Sequence, residues 1–437
     1  MSRRIIGLPA GFFVGLVAGL IAGRVAADDW PQWRGPQRDG VWRETGIVES
    51  FETDSLKPQW RARIGAGYSG PTVADGRVYV TDRITEPKER ERIHCFDSKL
   101  GSKLWTVAYD CPYDGISYTA GPRAAVTVDD DRAFALGATG RLHCLDAGAG
   151  AILWQRDLRK DFDIRMPIWG IAAAPLVYHD LVILQIGGRD GACIVALEKK
   201  SGREVWRALD DRASYSAPIL IRQAGHDVVV CWTADSVAGL DPATGNVHWR
   251  FPFAPRRMPI GIATPLVHGD RLFVTSFYDG SLMLRLLPDR LGVEKLWHRV
   301  GKNERETDAL QSIISTPVWL GDYIYGVDSY GQLRCLRADN GDRVWEDRTA
   351  TRQVRWGTIH FVQHGRETWM FNERGELLIT RLSPTSFRIL SRARLLRPTV
   401  VQLRRRGKGV CWSHPAFADR CVFARNDEEL ICVSLED

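Results

Sequence analysis

Residues 121–154, GPRAAVTVDDDRAFALGATGRLHCLDAGAGAILW, contain one complete copy of the pattern that decides the fold. A proline near the start is followed by two short segments of alternating apolar residues, Arg132–Leu136 and Arg141–Asp146, and then by Gly150 and Trp154. The same order recurs over residues 316–345. Segments with period-two alternation that are rich in Val, Ile and Tyr are typical of β-strands. The pattern therefore predicts a repeat built from short strands.

Two marker residues count the copies of this repeat. The proline marker occurs at Pro71, Pro122, Pro175, Pro218, Pro265, Pro317 and Pro415, and Gly357-Thr358 stands in its place in one further copy. The tryptophan marker occurs at Trp105, Trp154, Trp206, Trp249, Trp297 and Trp345. A spacing of about 43 to 52 residues fits four short strands with their turns. The markers therefore predict eight copies of a four-stranded unit.

The two ends of the repeat region complement each other. The last copy, which begins at His414-Pro415, ends after its third strand and has no tryptophan of its own, whereas Trp60 has no strands before it. We therefore expect the strand of Trp60 to be the outer strand of the last blade. A ring closed in this way has no open sheet edges between its ends. The sequence predicts an all-β fold, a single eight-bladed β-propeller over residues 57–437.

The repeated aspartate, glycine and tryptophan are interpreted as structural. Aspartate and glycine favour a tight turn between the third and fourth strands, and a large aromatic ring suits packing of an outer strand against the neighbouring blade. This structural role is assigned to Trp60, Trp105, Trp154, Trp206, Trp249, Trp297 and Trp345.

The nine cysteines suggest buried thiols more than a disulfide framework. Four of them, Cys95, Cys144, Cys335 and Cys432, share one repeat position, where a small buried apolar residue is expected. Cys421 and Cys432 would lie opposite each other if residues 424–429 close a hairpin. A disulfide between them and an unbridged pair of neighbours both stay open.

The N-terminal residues differ from the repeats. Residues 1–27 combine Arg3 and Arg4 with the uncharged apolar run Ile5–Gly23 and small residues before Asp28, the features of a secretory signal. The run is nearly long enough to span a bilayer, so an uncleaved anchor in the cytoplasmic membrane is the alternative. Either reading predicts export to the periplasm or cell envelope. Residues 28–56 are expected to form a strap packed on the propeller through Trp30 and Trp33, or a segment that docks a partner.

The register of the markers, as in residues 237–249, resembles the pyrroloquinoline-quinone-like repeat superfamily over residues 58–437. The run DWPQWRGPQRDG, residues 29–40, is similar to the start of a large group of exported propellers of this superfamily. The superfamily includes quinoprotein alcohol dehydrogenases and the non-catalytic propeller of the outer-membrane barrel-assembly machinery. The resemblance implies a quinoprotein-like fold and leaves the function open.

The resemblance to dehydrogenases implies a quinone between a tryptophan and two adjacent, disulfide-linked cysteines, beside Ca²⁺. This chain has no Cys-Cys pair and no Asp-rich loop with calcium-ligand spacing. Trp169, Trp356 and Trp412, just before inner strands, are the candidates for lining a cofactor plane; rim packing is the alternative for each. Scattered histidines give no metal site, and hydrolase and nucleotide-binding motifs are missing. We expect no cofactor, and pyrroloquinoline quinone with Ca²⁺ only under the alternative of an oxidoreductase.

Basic residues concentrate in the predicted loops between each outer strand and the next inner strand. These loops carry a large positive excess, whereas the rest of the mature chain is net negative. We therefore predict a binding face for a protein or an acidic polymer, with no nucleic acid bound, on a monomeric scaffold without catalytic residues. A solvated loop without a partner is the alternative. The candidate partner-binding residues are Arg256, Arg257, Arg352, Arg355, Arg404, Arg405, Arg406 and Lys408.

Overall fold

The structure, a computed structural model, describes residues 29–437 of the 437-residue chain. The predicted signal or anchor in residues 1–27 lies outside the described residues. Among residues 29–437, no helix combines the length and the apolar character needed to cross a membrane. The helical elements in this part are one short α-helix, Leu158–Asp161, and one 3-10 helix, Arg404–Arg406.

The strands form eight four-stranded antiparallel sheets, the blades, numbered 1 to 8 along the chain. From the inner to the outer strand, blades 1 to 4 are Thr72–Ala74, Arg77–Ile84, Arg90–Asp97, Lys103–Asp110; Thr127–Asp129, Arg132–Leu136, Arg141–Asp146, Ile152–Asp157; Leu176–Tyr178, Leu181–Gln185, Ile194–Glu198, Glu204–Ala208; and Ile219–Gln223, His226–Trp232, Ser236–Leu240, Val247–Pro252. Blades 5 to 8 are Leu266–His268, Arg271–Ser276, Gly280–Leu286, Val293–Arg299; Val318–Leu320, Tyr323–Val327, Leu333–Arg337, Arg343–Asp347; Ile359–His364, Glu367–Asn372, Glu376–Ser383, Ser386–Arg394; and Ala416–Ala418, Cys421–Arg425, Glu429–Ser434, Trp60–Arg63. The predicted eight-bladed propeller is confirmed.

Blade 8 closes the ring in the predicted way. Its outer strand, Trp60–Arg63, pairs antiparallel with Glu429–Ser434, and the register sets Trp60 opposite Cys432. The buried guanidinium of Arg425 in the same blade donates to the carbonyl oxygens of Gly65, Ser69 and Thr81. Because two of these carbonyls belong to the link between blades 8 and 1, and that of Thr81 to blade 1 itself, Arg425 joins the first and last blades.

The marker tryptophans connect each blade to the next. Trp105 in blade 1 donates its indole N–H to the carbonyl oxygen of Ala147 in the turn before the outer strand of blade 2. Gly150 ends this turn with a φ of +71°, and a Cβ there would lie 2.5 Å from the indole ring. Only glycine tolerates both the close approach and the positive φ. Six of the seven tryptophans bond to the next blade in this way: Trp60, Trp105, Trp154, Trp206, Trp297 and Trp345.

Trp249 and blade 7 depart from this rule. Trp249 donates to the side-chain oxygen of Gln223 in its own blade, and the Gln223 amide in turn donates to the carbonyl of Gly292 in blade 5. In blade 7, Ser391 occupies the register position that tryptophan holds elsewhere. The strap residue Phe51 covers this site, since its backbone N–H donates to Ser391 and its ring packs on Trp369.

The predicted opposition of Cys421 and Cys432 is wrong. The second and third strands of blade 8 pair Cys421 with Ser434 and Phe423 with Cys432, a shift of two residues. The reason is the position of the turn, which Arg425 and Leu430 close one residue later than predicted, and within it the Asn426 side chain accepts the backbone N–H groups of residues 428 and 429. All nine cysteines are free and buried. The shared repeat position is confirmed, because the four cysteines each lie opposite a marker tryptophan.

The proline marker of the second copy is also misplaced. Pro175 immediately precedes the inner strand of blade 3, whereas in blade 2 Val126 takes that position and Pro122 lies four residues earlier. Hydrogen bonds show that Val126 and Pro175 hold equivalent positions. Thr72 Oγ1 donates to the carbonyl of Val126, and Thr127 Oγ1 donates to that of Pro175. The entry loop of blade 2, which joins the outer strand of blade 1 to the inner strand of blade 2, is therefore longer than the proline spacing suggests.

A candidate binding site on the propeller axis

A cavity of about 160 Å³ lies on the propeller axis. Seven blades contribute to its wall the third residue before the marker proline or, in blade 2, before Val126, and blade 7 contributes Trp356, which directly precedes Gly357-Thr358. These eight residues are Tyr68, Arg123, Ala172, Tyr215, Ile262, Ile314, Trp356 and Trp412. One sequence position therefore supplies a wall residue of this axial cavity in seven of the eight blades.

The three tryptophans singled out from sequence meet at this cavity. Trp169, Trp356 and Trp412 all line it, and Tyr118 bridges two of them, with ring centroids 5.8 Å from Trp169 and 6.0 Å from Trp356. Tyr215 packs on Trp169 at 5.0 Å. Sequence reasoning missed both tyrosines. The register rule above would have found Tyr215, whereas Tyr118 lies in the long entry loop of blade 2 and carries no repeat signal.

The strap closes the cavity at one end. Trp33 lines the cavity, donates its indole N–H to Thr264 Oγ1 over 2.8 Å, and lies edge-on to His414 at 4.6 Å. The buried Arg38 donates to the carbonyl oxygens of Ala174 and Pro175, and Trp30 pairs through its backbone with Val73. The strap thus plugs the channel, and the cavity opens at the opposite face. We call this the loop face: it is formed by the outer-to-inner loops and the turns between second and third strands.

Two buried histidines lie beside the plug. Desolvation lowers the pKa of His360 to about 4 and that of His414 to about 3, so both rings are neutral at pH 7. The His360 Nε2 faces the carbonyl of Trp412 at 2.8 Å, and the His414 Nδ1 faces that of Pro415 at 3.3 Å. The His414 Nε2 and the Trp356 Nε1 have no hydrogen-bond partner within residues 29–437.

Arginines surround the mouth of the cavity. The guanidinium of Arg405 lies 4.1 Å from the Trp356 ring and 5.2 Å from the Tyr118 ring, and it donates to the Tyr118 hydroxyl. Arg355 lies on the same indole at 4.7 Å. Arg123 in the wall donates to the backbone carbonyls of Gly121, Ser117 and Tyr118.

The candidate basic residues divide into two groups. Three of them bond within the fold: Arg406 pairs with the buried Glu373 at 2.8 Å, Arg355 pairs with Glu304 at 2.7 Å, and Arg352 donates to a backbone carbonyl. Burial raises the pKa of Glu373, and the Arg406 guanidinium opposes this rise. Arg256 is the fourth member of this group: it is exposed but bonds to the turn at Asp279.

The second group is free to meet a partner. Arg257, Arg404, Arg405 and Lys408 are exposed and have no carboxylate partner within the described residues. The structure thus brings the basic residues to one face but commits four of them to internal contacts.

The positive excess of the loop face is smaller than the charges of the outer-to-inner loops alone imply. The turns between second and third strands share the loop face and carry acidic residues that the count left out. Several of these hold the neighbouring loops in place, as Asp235 does through Arg212, Asp328 through Thr307 and Asp427 through Thr399. The loop face is therefore a mixture of neutralised and free cations, and among the free ones Arg405 lies against the rings at the cavity mouth.

A family profile matches most of the chain. The profile described as outer membrane protein assembly factor BamB matches residues 89–347 and 224–437. The chain belongs to this family. Among characterised relatives, BamB of Burkholderia pseudomallei is 22% identical over 291 residues, which is 64% of this chain and 69% of that protein. A quinone-dependent 1-butanol dehydrogenase of Thauera butanivorans is 29% identical over 152 residues, 32% of this chain and 24% of the enzyme, so the match spans about a quarter of the dehydrogenase.

Solved structures show the same fold. BamB from Moraxella catarrhalis superposes with a TM-score of 0.58 at 18% identity and covers 87% of this chain and 97% of its own. A europium-containing methanol dehydrogenase superposes with a TM-score of 0.64 at 12% identity, over 92% of this chain and 90% of its own. At these identities the likeness concerns the fold alone.

The cavity residues do not fit the quinone and Ca²⁺ of the dehydrogenase branch. The cavity wall within residues 29–437 contains tryptophan, tyrosine, isoleucine, alanine, arginine and histidine, and none of its residues carries a carboxylate or amide oxygen. Ca²⁺ is held by several such oxygens. The adjacent cysteine pair is missing from the whole sequence. The donor set therefore offers no place for the metal that accompanies the quinone.

Proposed function

We propose that this protein is an exported, non-catalytic scaffold that binds an acidic partner protein on its loop face. The observation that carries the proposal is the set of free cations, Arg257, Arg404, Arg405 and Lys408, on the face where an aromatic funnel opens, with Arg405 against its aromatic rings. Arginine and aromatic side chains are enriched among the residues that dominate protein–protein binding.

Apolar residues on the same face support a protein partner over a purely ionic one. Ile168 and Val400, in the entry loops of blades 3 and 8, each expose 49% of their surface. Tyr278, next to Arg257, is partly exposed as well. An interface with an apolar centre and a charged rim would cover these side chains.

Family membership and the N-terminal sequence support the same proposal. The family is named for assembly factors of outer membrane proteins, a role that consists of contacts with other proteins. The export segment predicted in residues 1–27 would deliver the propeller to the periplasm or cell envelope, either free or anchored.

Charge reversal on the loop face tests the proposal. The double variant Arg404→Glu, Lys408→Glu should lose a partner that the wild-type propeller captures from envelope extract, and the loss should be at least tenfold in affinity. The matched control is Lys99→Glu, Lys200→Glu, which reverses two exposed charges in turns of the opposite face. Arg406 is left intact, because its loss would leave the buried Glu373 without a partner. Equal capture by both double variants would refute the proposed face.

A second candidate function is a quinone-dependent oxidoreductase that uses the axial cavity. It rests on the partial match to the butanol dehydrogenase and on the aromatic lining. Reconstitution with pyrroloquinoline quinone and Ca²⁺, followed by dye reduction with alcohols and sugars, tests it directly. We expect no turnover, since the wall lacks Ca²⁺ ligands.

A further inference from the structure

Cys421 and Cys432 of the ring-closing blade 8 lie on one face of its sheet. The register pairs Cys421 with Ser434 and Phe423 with Cys432, so the two cysteines are diagonal neighbours on adjacent strands. Because side chains two residues apart along a strand point to the same face, both thiols face the same side of the blade. Diagonal residues are about 7 to 8 Å apart, just beyond the usual range for a disulfide, so a bond between them requires a small movement of the strands.

This pair distinguishes blade 8 from the other blades that have a cysteine opposite the marker tryptophan. Cys95, Cys144 and Cys335 occupy the position of Cys432 in blades 1, 2 and 6. The diagonal position that Cys421 holds in blade 8 carries arginine or tyrosine in those three blades. These residues are Arg77, Arg132 and Tyr323. A second thiol within reach of the first is therefore a feature of the closing blade and not of the repeat.

The two thiols converge on one side chain and on each other. The Sγ atoms of Cys421 and Cys432 lie 3.8 and 3.5 Å from the Gln59 Oε1. A hydrogen bond between the two thiols lowers the pKa of Cys421, although burial acts in the opposite direction, and raises the pKa of Cys432. Cys421 is also the more accessible thiol, at 8% exposed against 0% for Cys432. Because the thiolate is the reactive form, Cys421 is the thiol that an oxidant meets first.

We propose that Cys421 and Cys432 are a redox pair that forms a disulfide between the second and third strands of blade 8. The Cys421 thiolate attacks one sulfur of a small disulfide oxidant, whose S–S bond breaks and whose other half leaves as a thiol. The Cys432 thiol then loses its proton and attacks the Cys421 sulfur, which releases the second half as a thiol. Two electrons pass from the cysteine pair to the oxidant, and the two cysteine protons end on the released thiols.

The disulfide would reinforce the closure of the ring. Cys432 lies opposite Trp60, and Gln59 directly precedes the outer strand that completes blade 8. A covalent bond would tie the second strand to the strand that holds Trp60–Arg63, and it would restrict the unfolded chain by closing a short loop. The export predicted from residues 1–27 would bring the pair into an oxidising compartment, where such bonds persist.

Oxidation of the native protein followed by peptide mapping tests the proposal. The purified protein is incubated with bis(2-hydroxyethyl) disulfide, alkylated in urea and digested with trypsin. Cleavage after Arg420 and Arg425 separates the peptide Cys421–Arg425 from residues 426–437, so the disulfide would join two peptides that reduction releases. We expect this linked pair, with alkylation at the other cysteines. Alkylation at all nine cysteines, or a bridge between a different pair, would overturn the proposal.

Serine variants separate the attacking thiol from the resolving thiol. Cys432→Ser should keep a 2-hydroxyethyl thiol adduct on Cys421, because no second thiol displaces it, whereas Cys421→Ser should carry no adduct in blade 8. The control Cys144→Ser changes the equivalent cysteine of blade 2 and should form the bridge as wild type does. An adduct on Cys432 in the Cys421→Ser variant would contradict the assigned order of attack.

Thermal denaturation tests the effect on ring closure. Oxidised wild type should melt several degrees above the reduced protein, and Cys421→Ser should show no difference between the two conditions. Equal melting temperatures of oxidised and reduced wild type would contradict the stabilising role of the bond. Because the pair lies at the end of blade 8 away from the loop face, these outcomes do not depend on capture of a partner.

Discussion

The outer and axial layers of the propeller use the same eightfold repeat in opposite ways. In the outer layer one position holds tryptophan in seven of the eight blades, and six of these rings make the same bond to the next blade. In the axial layer one position holds tyrosine, arginine, alanine, isoleucine or tryptophan in different blades. The rim residue is nearly uniform because it makes the same packing contact around the ring. The axial residues differ from blade to blade, and together they line an asymmetric pocket.

The physical reason lies in what each layer contacts. A rim tryptophan covers the turn of the next blade, and in five blades that turn ends in a glycine with positive φ that touches the indole ring: Gly101, Gly150, Gly202, Gly245 and Gly341. An axial residue faces the cavity shared by all the blades, where no repeated turn packs against it. Substitutions should therefore affect stability more at the rim than at the axis.

Trp206→Ala at the rim should have the largest effect on stability. The ring is 7% exposed, and its N–H donates to the carbonyl oxygen of Pro242. Truncation of such a tryptophan costs about 3 to 5 kcal/mol. Urea denaturation followed by far-ultraviolet circular dichroism measures the loss. The axial control Ile262→Ala, partly exposed to the cavity, should cost about 1 kcal/mol. Similar losses in the two variants would remove the distinction between the layers.

The ring-closing cation should come next. Arg425→Met leaves the carbonyl oxygens of Gly65, Ser69 and Thr81 without their buried donor. We expect a loss of about 3 kcal/mol in the free energy of unfolding, since each buried unpaired acceptor costs about 1 to 3 kcal/mol and the protein relaxes in part. Chemical denaturation measures it. Arg420→Met, which breaks the exposed pair with Glu436, is the control and should cost under about 1 kcal/mol. Wild-type stability of Arg425→Met would show that the seam does not depend on this residue.

The sequence predicts the rim better than the axis because only the rim repeats. The turn glycines and marker tryptophans identify the number of blades and the closure through Trp60, which pairs with Cys432 as the missing outer strand requires. Trp33 gives no such signal, because its partners Thr264 and His414 are more than 200 residues away along the chain. The proline marker even misleads in blade 2, where an extended loop displaces Pro122 and hides Arg123 as a wall residue.

Acid should destabilise the axis through its histidines. The pKa values of His360 and His414 fall to about 4 and about 3 in the folded protein, against about 6.5 in the unfolded chain. Above pH 6.5 both states are neutral and stability is unaffected. Below it the unfolded chain binds protons that the folded protein does not, so stability falls by about 1.4 kcal/mol per pH unit for each histidine until pH 4.

The variant His360→Gln isolates one histidine's share of this acid dependence. It should reduce the fall in unfolding free energy between pH 6.5 and 5 by about 2 kcal/mol relative to wild type. The control His226→Gln alters an exposed histidine and should leave the fall unchanged. Identical pH profiles for His360→Gln and wild type would show that the axial ring is not buried in its neutral form.

Charge reversal at the free loop-face cations should have the smallest effect on stability. Arg404 is exposed and has no carboxylate partner among residues 29–437, so Arg404→Glu should change the free energy of unfolding by less than about 0.5 kcal/mol. Arg406→Glu, two residues away, should destabilise by about 3 kcal/mol, because it sets a second negative charge beside the buried Glu373. Urea denaturation of both variants under the same conditions measures the contrast. If Arg404→Glu were as destabilising as Arg406→Glu, the cations treated as free would instead stabilise the fold. They would then not be available to bind a partner.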